Sequence, residues 1–256
     1  MLGLGGLFFT TALLYAAAGF GGGSTYNALL VLAEVDCRAI PIIALVCNIL
    51  VVTIGSWRFA RDGHIDWRRI WPLFALSVPL AWLGGRLEVA EIVFVGLLAA
   101  SLLVAGLLML WQPRWQREAP PMVTSRWVEP VAGGALGFLA GVVGIGGGIF
   151  LAPLLYMLRW GTPRQIAGTS AAFILVNSIA GLIGQLGKGD GTQGGQVLVD
   201  HWMLFPAVLA GGLIGSALGS RGLDPRYVRI LTALLVLYVA ARLGLRFFAE
   251  LASVAG

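Results

Sequence analysis

Two stretches of this chain carry residues whose types and spacing suit ion binding rather than bond making. Gly19-Phe20-Gly21-Gly22-Gly23-Ser24-Thr25-Tyr26-Asn27 and Gly144-Ile145-Gly146-Gly147-Gly148-Ile149-Phe150-Leu151-Ala152-Pro153 each set three consecutive glycines before a short apolar run. Glycine this dense is costly inside a helix, so each triple reads as a break where bare backbone must approach something. A helix restarting after such a break has N–H groups with no carbonyl one turn back, and its first turn carries partial positive charge. That combination binds an anion without any charged side chain. The candidate site is therefore Gly21, Gly22, Gly23, Ser24 and Thr25 with Gly146, Gly147, Gly148 and Ile149. Asn27, Asn48 and Asn177 add amide donors, and Thr169 and Ser170 add hydroxyls.

Other glycines have a plainer reading. Gly133, Gly137 and Gly141, and Gly211, Gly215 and Gly219, recur at every fourth position, the spacing of close helix contact. Three glycines in a row cover every side of a helix, which no packing face requires. Catalysis finds little support, and the chain reads as a non-enzyme: His64 and His201 fall in loops, and no Gly-x-Ser-Gly occurs. Cys37 and Cys47 have no metal-ligand pattern around them, so no metal and no cofactor is expected.

The elements that must position these groups are membrane helices. The chain has 256 residues, 58% hydrophobic and 11% charged, against about a quarter charged in soluble domains. Its mean hydropathy is +0.88. The start lacks the pattern of a cleaved signal, so the first apolar segment is expected to begin at Met1. The net charge of +5 is carried by loop arginines and reads as topology charge, not nucleic-acid binding.

In order, residues 2–19, 40–57, 70–85 and 89–111 are apolar segments, with 24–33 too short to span alone. Residues 113–126, with Pro113, Pro120 and Pro121 among charges, form a linker between halves 1–112 and 127–256. The second half repeats the order: 127–143, a short 149–160, 166–186, a polar loop over 187–200, then 202–218 and 228–247. Gly21 to Gly23 match Gly146 to Gly148, Arg38 matches Arg164, Asn48 matches Asn177, Pro72 matches Pro206 and Arg86 matches Arg221. The expected fold is an all-α polytopic membrane protein of two repeats, each a glycine-broken hairpin plus three spans, or about eight spans and ten helical segments.

Arginines fix an orientation. Arg58, Arg61, Arg68 and Arg69, the linker's Arg114, Arg117 and Arg126, and the turn with Arg221, Arg226 and Arg229 belong in the cytoplasm, whereas the loop with Lys188, Asp190 and Asp200 belongs outside. These assignments agree only if each broken segment enters and returns, which makes the repeats inverted and puts both termini in the periplasm. Trp57, Trp67, Trp71, Trp111, Trp115, Trp127 and Trp202 sit at segment ends as an interface belt. No Asp or Glu falls at the middle of an expected span, which argues against a carboxylate proton relay. An anion leaving a negative-inside cell is driven outward by about 2.3 kcal/mol per charge per 100 mV, which favours export.

The paired triples, above all Gly144-Ile145-Gly146-Gly147-Gly148-Ile149-Phe150-Leu151-Ala152-Pro153-Leu154-Leu155 followed by Gly168-Thr169-Ser170-Ala171 and Asn177, resemble the TauE/SafE family of membrane permeases, the sulfite exporter family. The resemblance covers essentially the whole chain. It implies a multi-pass carrier in a bacterial inner membrane, moving small sulfur-containing anions such as sulfite, thiosulfate, sulfoacetate or other organosulfonates, with a homodimer left open. The first half departs from the motif: Ala28 stands where the second has Pro153, and nothing before Asn48 matches Gly168-Thr169-Ser170. An anion channel, or a carrier of another anion such as a carboxylate, are the alternatives.

Overall fold

The computed structural model describes residues 2–18, 20–111, 127–188, 192–219 and 225–255; the linker 113–126, Asp190 and Arg221 lie outside the described residues. The protein is all-helical there: α1 (Leu2–Ala18), α2 (Gly23–Leu32), α3 (Ala39–Arg61), α4 (Trp67–Arg86), α5 (Glu91–Trp111), α6 (Val128–Val143), α7 (Gly148–Met157), α8 (Pro163–Leu186), α9 (Thr192–Asp200), α10 (Leu204–Gly219) and α11 (Pro225–Ala255). It is a polytopic membrane protein. Among the described residues, Ala39–Arg61, Glu91–Leu110 and Pro163–Leu186 are each long and apolar enough to cross a bilayer, and a fourth span forms if the pair Gly194–Asp200 and Leu204–Leu218, bent by 70°, counts as one. At 1.5 Å per residue, α2 and α7 cover only about half a bilayer core.

One expectation fails. Residues 187–200 read as a polar loop, but Thr192–Asp200 is helical. Local bonding explains it: Gln196 donates from Nε2 to Asp200 Oδ1 at 3.3 Å, one turn on, while Val197 packs on the main core. Gly194, which weakens any helical reading of the sequence, lies against the Leu186 side chain.

Four helix pairs carry much of the packing, with α4 also against α8. α6 packs on α4, α1 on α10, α3 on α8 and α5 on α11. Backbone approaches give the directions. Gly133 meets Leu73, Gly137 meets Ser77 and Gly141 meets Ala81, so α6 and α4 run parallel. Gly211 meets Phe9 and Gly215 meets Leu13, so α10 and α1 also run parallel. By contrast, Gly168 faces Phe59 and Gly181 faces Leu45, so α3 and α8 run antiparallel, as do α5 and α11 through Gly96 with Phe247 and Gly106 with Leu237. The glycine stripes thus work as their spacing suggests, letting backbones touch where lipid gives no hydrophobic drive. Trp57, Trp67, Trp71, Trp127 and Trp202 are all exposed.

Candidate functional site

Each glycine triple bends the chain back on itself. Gly22 and Gly147 precede α2 and α7 with φ of 88° and 76°, in the left-handed region where a side chain is strained. The first ladder bonds run from Thr25 and Tyr26 N–H to Gly22 O at 2.9 and 3.0 Å, and from Phe150 and Leu151 N–H to Gly147 O at 3.2 and 3.1 Å. Gly23 and Ser24, like Gly148 and Ile149, therefore start their helices with N–H groups that no preceding turn can accept. Neither start has a side-chain cap. Two other starts do: Asp66 accepts from Arg68 and Arg69 N–H before α4, and Thr162 with Gln165 forms a capping box before α8. What sets the α2 and α7 starts apart from those of α3 and α6, which have no side-chain cap either, is the left-handed glycine before each.

Both tips meet the middle of the antiparallel α3–α8 pair. Asn48, halfway along α3, lies against Gly21, Gly23 and Gly146. A methyl on Gly146 would stand 2.9 Å from Asn48 Nδ2, 3.1 Å from Ser178 Oγ and 2.8 Å from Ile174 Cγ2. A methyl on Gly23 would fall 2.7 Å from the Ile145 carbonyl of the other tip. Glycine is what allows this convergence. Asn48 is fully buried, and neither its Oδ1 nor its Nδ2 has a hydrogen-bond partner. An unpaired buried amide costs about 1–3 kcal/mol, a cost that a bound polar ligand can remove.

A cavity of about 310 Å³ opens beside Asn48. Gly21, Gly22, Gly23 and Ser24 line it from the first tip, and Ile145 and Ile149 from the second. Its wall is otherwise mostly apolar, with Phe20, Phe59, Met109, Ala152, Pro153 and Ile174 among the lining residues. Arg164 is the only charged residue among the described lining residues, so no acidic side chain there opposes an anion. The outer lining, Phe59, Met109, Tyr156, Pro163 and Arg164, comes from the C-terminal ends of α3, α5 and α7 and the N-terminal end of α8, which marks the face on which the cavity opens.

The remaining sequence-derived candidates are placed less centrally. Thr25 bonds the Tyr15 hydroxyl at 2.8 Å. Asn27 donates from Nδ2 to the Val143 carbonyl at 2.7 Å, and Asn177 from Nδ2 to the Phe173 carbonyl one turn back at 2.8 Å. Gly147 and Gly148 pack on Phe173 and Ile174. Thr169 and Ser170 are buried with unpartnered hydroxyls, yet neither lines the cavity. Tyr15, Ile174 and Arg164 line it without having been singled out as ligands. For Arg164 a signal existed, since it matches Arg38 in the repeat; for Tyr15 and Ile174 only the fold brings them in.

Broken helices, an unpaired buried amide and an apolar cavity beside them are features found in membrane transport proteins. Comparison with known proteins agrees and gives the family. Residues 4–243 match the family described as Sulfite exporter TauE/SafE, and the chain belongs to it. It is 34% identical over 247 residues to the probable membrane transporter protein y4hK of Sinorhizobium fredii, spanning 94% of this chain and 97% of that one. No solved structure matches. The protein is a multi-pass membrane transporter of this family.

Proposed function

We propose that the protein carries small sulfur-containing anions, such as sulfite, thiosulfate, sulfoacetate or another organosulfonate, across a bacterial inner membrane, in the direction of export. The observation that carries this reading is Asn48, buried and unpaired beside two uncapped helix starts and a cavity with no acidic residue among its described lining residues. An oxyanion offers several acceptors to those N–H groups at once. The family description names sulfite export, which suggests the sulfur oxyanion class.

The mechanism we infer is alternating access between inverted repeats, 1–112 and 127–256, joined by a cytoplasmic linker at 113–126. The helix directions support it. α1 runs parallel to α10 and α6 parallel to α4, while α3 opposes its counterpart α8 and α5 opposes α11, the relation expected when one half is turned over relative to the other. In this reading the cavity opens to the cytoplasm on the face bearing Arg58 and Arg61, and both termini are periplasmic. In the same reading the α4–α8 contacts of Gly85 with Gly181 and of Gly184 with Trp82 would close the opposite side. Rocking α3 and α8 past the tips would exchange the two openings.

Thermal unfolding of the detergent-purified protein tests the class, with sulfite, thiosulfate, sulfate, sulfoacetate, taurine and chloride at equal ionic strength. A ligand of the native state raises the midpoint by mass action. A rise with a sulfur anion, absent with chloride and absent in Asn48→Ala, is the expected result. A rise with carboxylates or halides alone overturns the sulfur assignment, and flux without countertransport acceleration makes the protein a channel.

A further inference from the structure

We infer that Arg164 is the anion-selecting residue at the mouth of the cavity, the group that a substrate meets before it reaches the helix starts. This rests on the transport reading above and adds to it a residue and a face. Arg164 lines the cavity from the first turn of α8, and its exposed position puts it at the opening. Along α8, at 1.5 Å per residue, it stands about 15 Å from Ile174, which packs on the second tip. The guanidinium and the tips are therefore two separate stations on one path, not two ligands of one bound ion.

The plain alternative is that Arg164 is one more arginine holding the topology of this face. Its neighbours fit that role better. Arg58 donates from Nη1 to the carbonyl and hydroxyl oxygens of Ser216 at 2.6 and 2.7 Å, tying α3 to α10. Arg61 lies over the Trp57 ring at 5.5 Å, and Arg69 over the Trp160 ring at 4.3 Å. Arg164 has no ion pair, ring contact or hydrogen bond of its side chain among the described residues. Its place is also adverse for a cation, because the first turn of a helix carries positive charge that favours acids. Both α8 cap positions are already served by Thr162 and Gln165. What the position offers is access to the cavity.

A positive charge at the mouth of a cavity whose described lining holds no other charged side chain acts on encounter and on charge selection. It raises the local concentration of anions, more for a dianion than for a monoanion, and the benefit fades with salt. It acts from one face only.

Flux of a radiolabelled sulfur anion, taken as whichever of sulfite, thiosulfate and sulfoacetate moves fastest, is measured in membrane vesicles of each orientation. The comparison is of wild type with Arg164→Gln, Arg164→Lys and Arg68→Gln. Arg68 starts α4 on the same face, is exposed, and does not line the cavity. For loading from the Arg164 face, Arg164→Gln should raise KM about five- to tenfold with little change in maximal rate, and flatten its salt dependence. KM from the opposite face should stay within about twofold, Arg164→Lys should recover most of the loss, and Arg68→Gln should do little. Equal effects of Arg164→Gln and Arg68→Gln, or equal effects from both faces, overturn this inference and leave the transport reading standing. Wild-type vesicles that move none of these anions overturn the sulfur-anion reading, and this one with it.

Discussion

The Asn27 amide donates to the Val143 carbonyl at 2.7 Å, so a residue of the first hairpin caps the last turn of the helix that leads into the second. Val143 is the final residue of α6, and its carbonyl has no N–H one turn on. Gln185 does the same for the Gly141 carbonyl, donating from Nε2 at 2.9 Å. Two carbonyls that would otherwise be stranded in the bundle are satisfied by side chains from α2 and α8. Asn27→Ala should therefore cost about 1–3 kcal/mol, the usual penalty for leaving a buried acceptor unpaired. Because the donor is spent on the protein, the variant should keep its ligand-induced rise in melting temperature from a lower baseline. A variant with unchanged stability but no ligand response would make Asn27 a substrate group instead.

Asn48 should behave in the opposite way. Its two polar atoms have no partner, so Asn48→Ala removes an unmet demand along with some packing against Gly21 and Gly23. The net change in stability should stay within about 1 kcal/mol. Flux and ligand-induced stabilisation should both vanish. A large loss of stability with transport retained would show that Asn48 serves the fold.

The two breaks differ in how closely they are packed. Gly22→Ala and Gly147→Ala each force a side chain into left-handed backbone, at about 1–2 kcal/mol. A methyl on Gly147 would in addition sit 2.9 Å from Phe173 Cε1 and 3.2 Å from the Leu136 carbonyl, whereas one on Gly22 meets nothing nearer than 3.3 Å. Gly147→Ala should melt lower than Gly22→Ala in the same detergent, and equal midpoints would show that backbone strain alone sets the cost.

Helix-contact glycines give a sharper contrast. A methyl on Gly137 would stand 2.7 Å from Ser77 Cα, so Gly137→Ala must push α6 off α4. Gly55, inside α3, has nothing within 4 Å of the same position. There, Gly55→Ala should stabilise by up to about 1 kcal/mol through helix propensity. Opposite signs of the two melting shifts check the packing scheme, and the same sign for both would refute it.

How far these features could be read from the sequence depended on their range. The breaks were legible because three glycines in a row have no packing explanation, and the contact stripes because their four-residue period is local. Exposed Trp57 and Trp202 followed from their place at segment ends. Asn27 and Asn48 were not separable, since each is a single amide after a glycine triple or in a span. What divides them is a carbonyl 116 residues away that one reaches and the other does not. Trp160, at the end of a short segment, looks like another belt residue but is buried, with the Arg69 guanidinium over its ring. Arg164 reads in sequence as a repeat match, and only the assembled bundle puts it at the cavity.

On the face bearing the start of α5, Cys37 offers a chemical probe of local electrostatics. Its thiol lies 3.6 Å from Glu91 Oε1, and Glu91 also pairs with Arg246 at 3.3 Å. Partial burial first, then the Glu91 charge and its hydrogen bond, push the thiol up from 9.0 to about 11. The folded value is raised, so the neutral thiol's contribution to stability is fully present below pH 9 and is lost as pH rises through about 11. Only the thiolate reacts, so alkylation of Cys37 by iodoacetamide should be slow at pH 8.5 and climb with a midpoint near 11. Glu91→Gln removes the repelling charge, and should speed alkylation at pH 8.5 several-fold while Cys47, fully buried, stays unreactive. Unchanged alkylation in Glu91→Gln would mean that burial alone holds the thiol, and a midpoint near 9 in the native protein would mean that both the partial burial and the Cys37–Glu91 contact are absent in the membrane-extracted state.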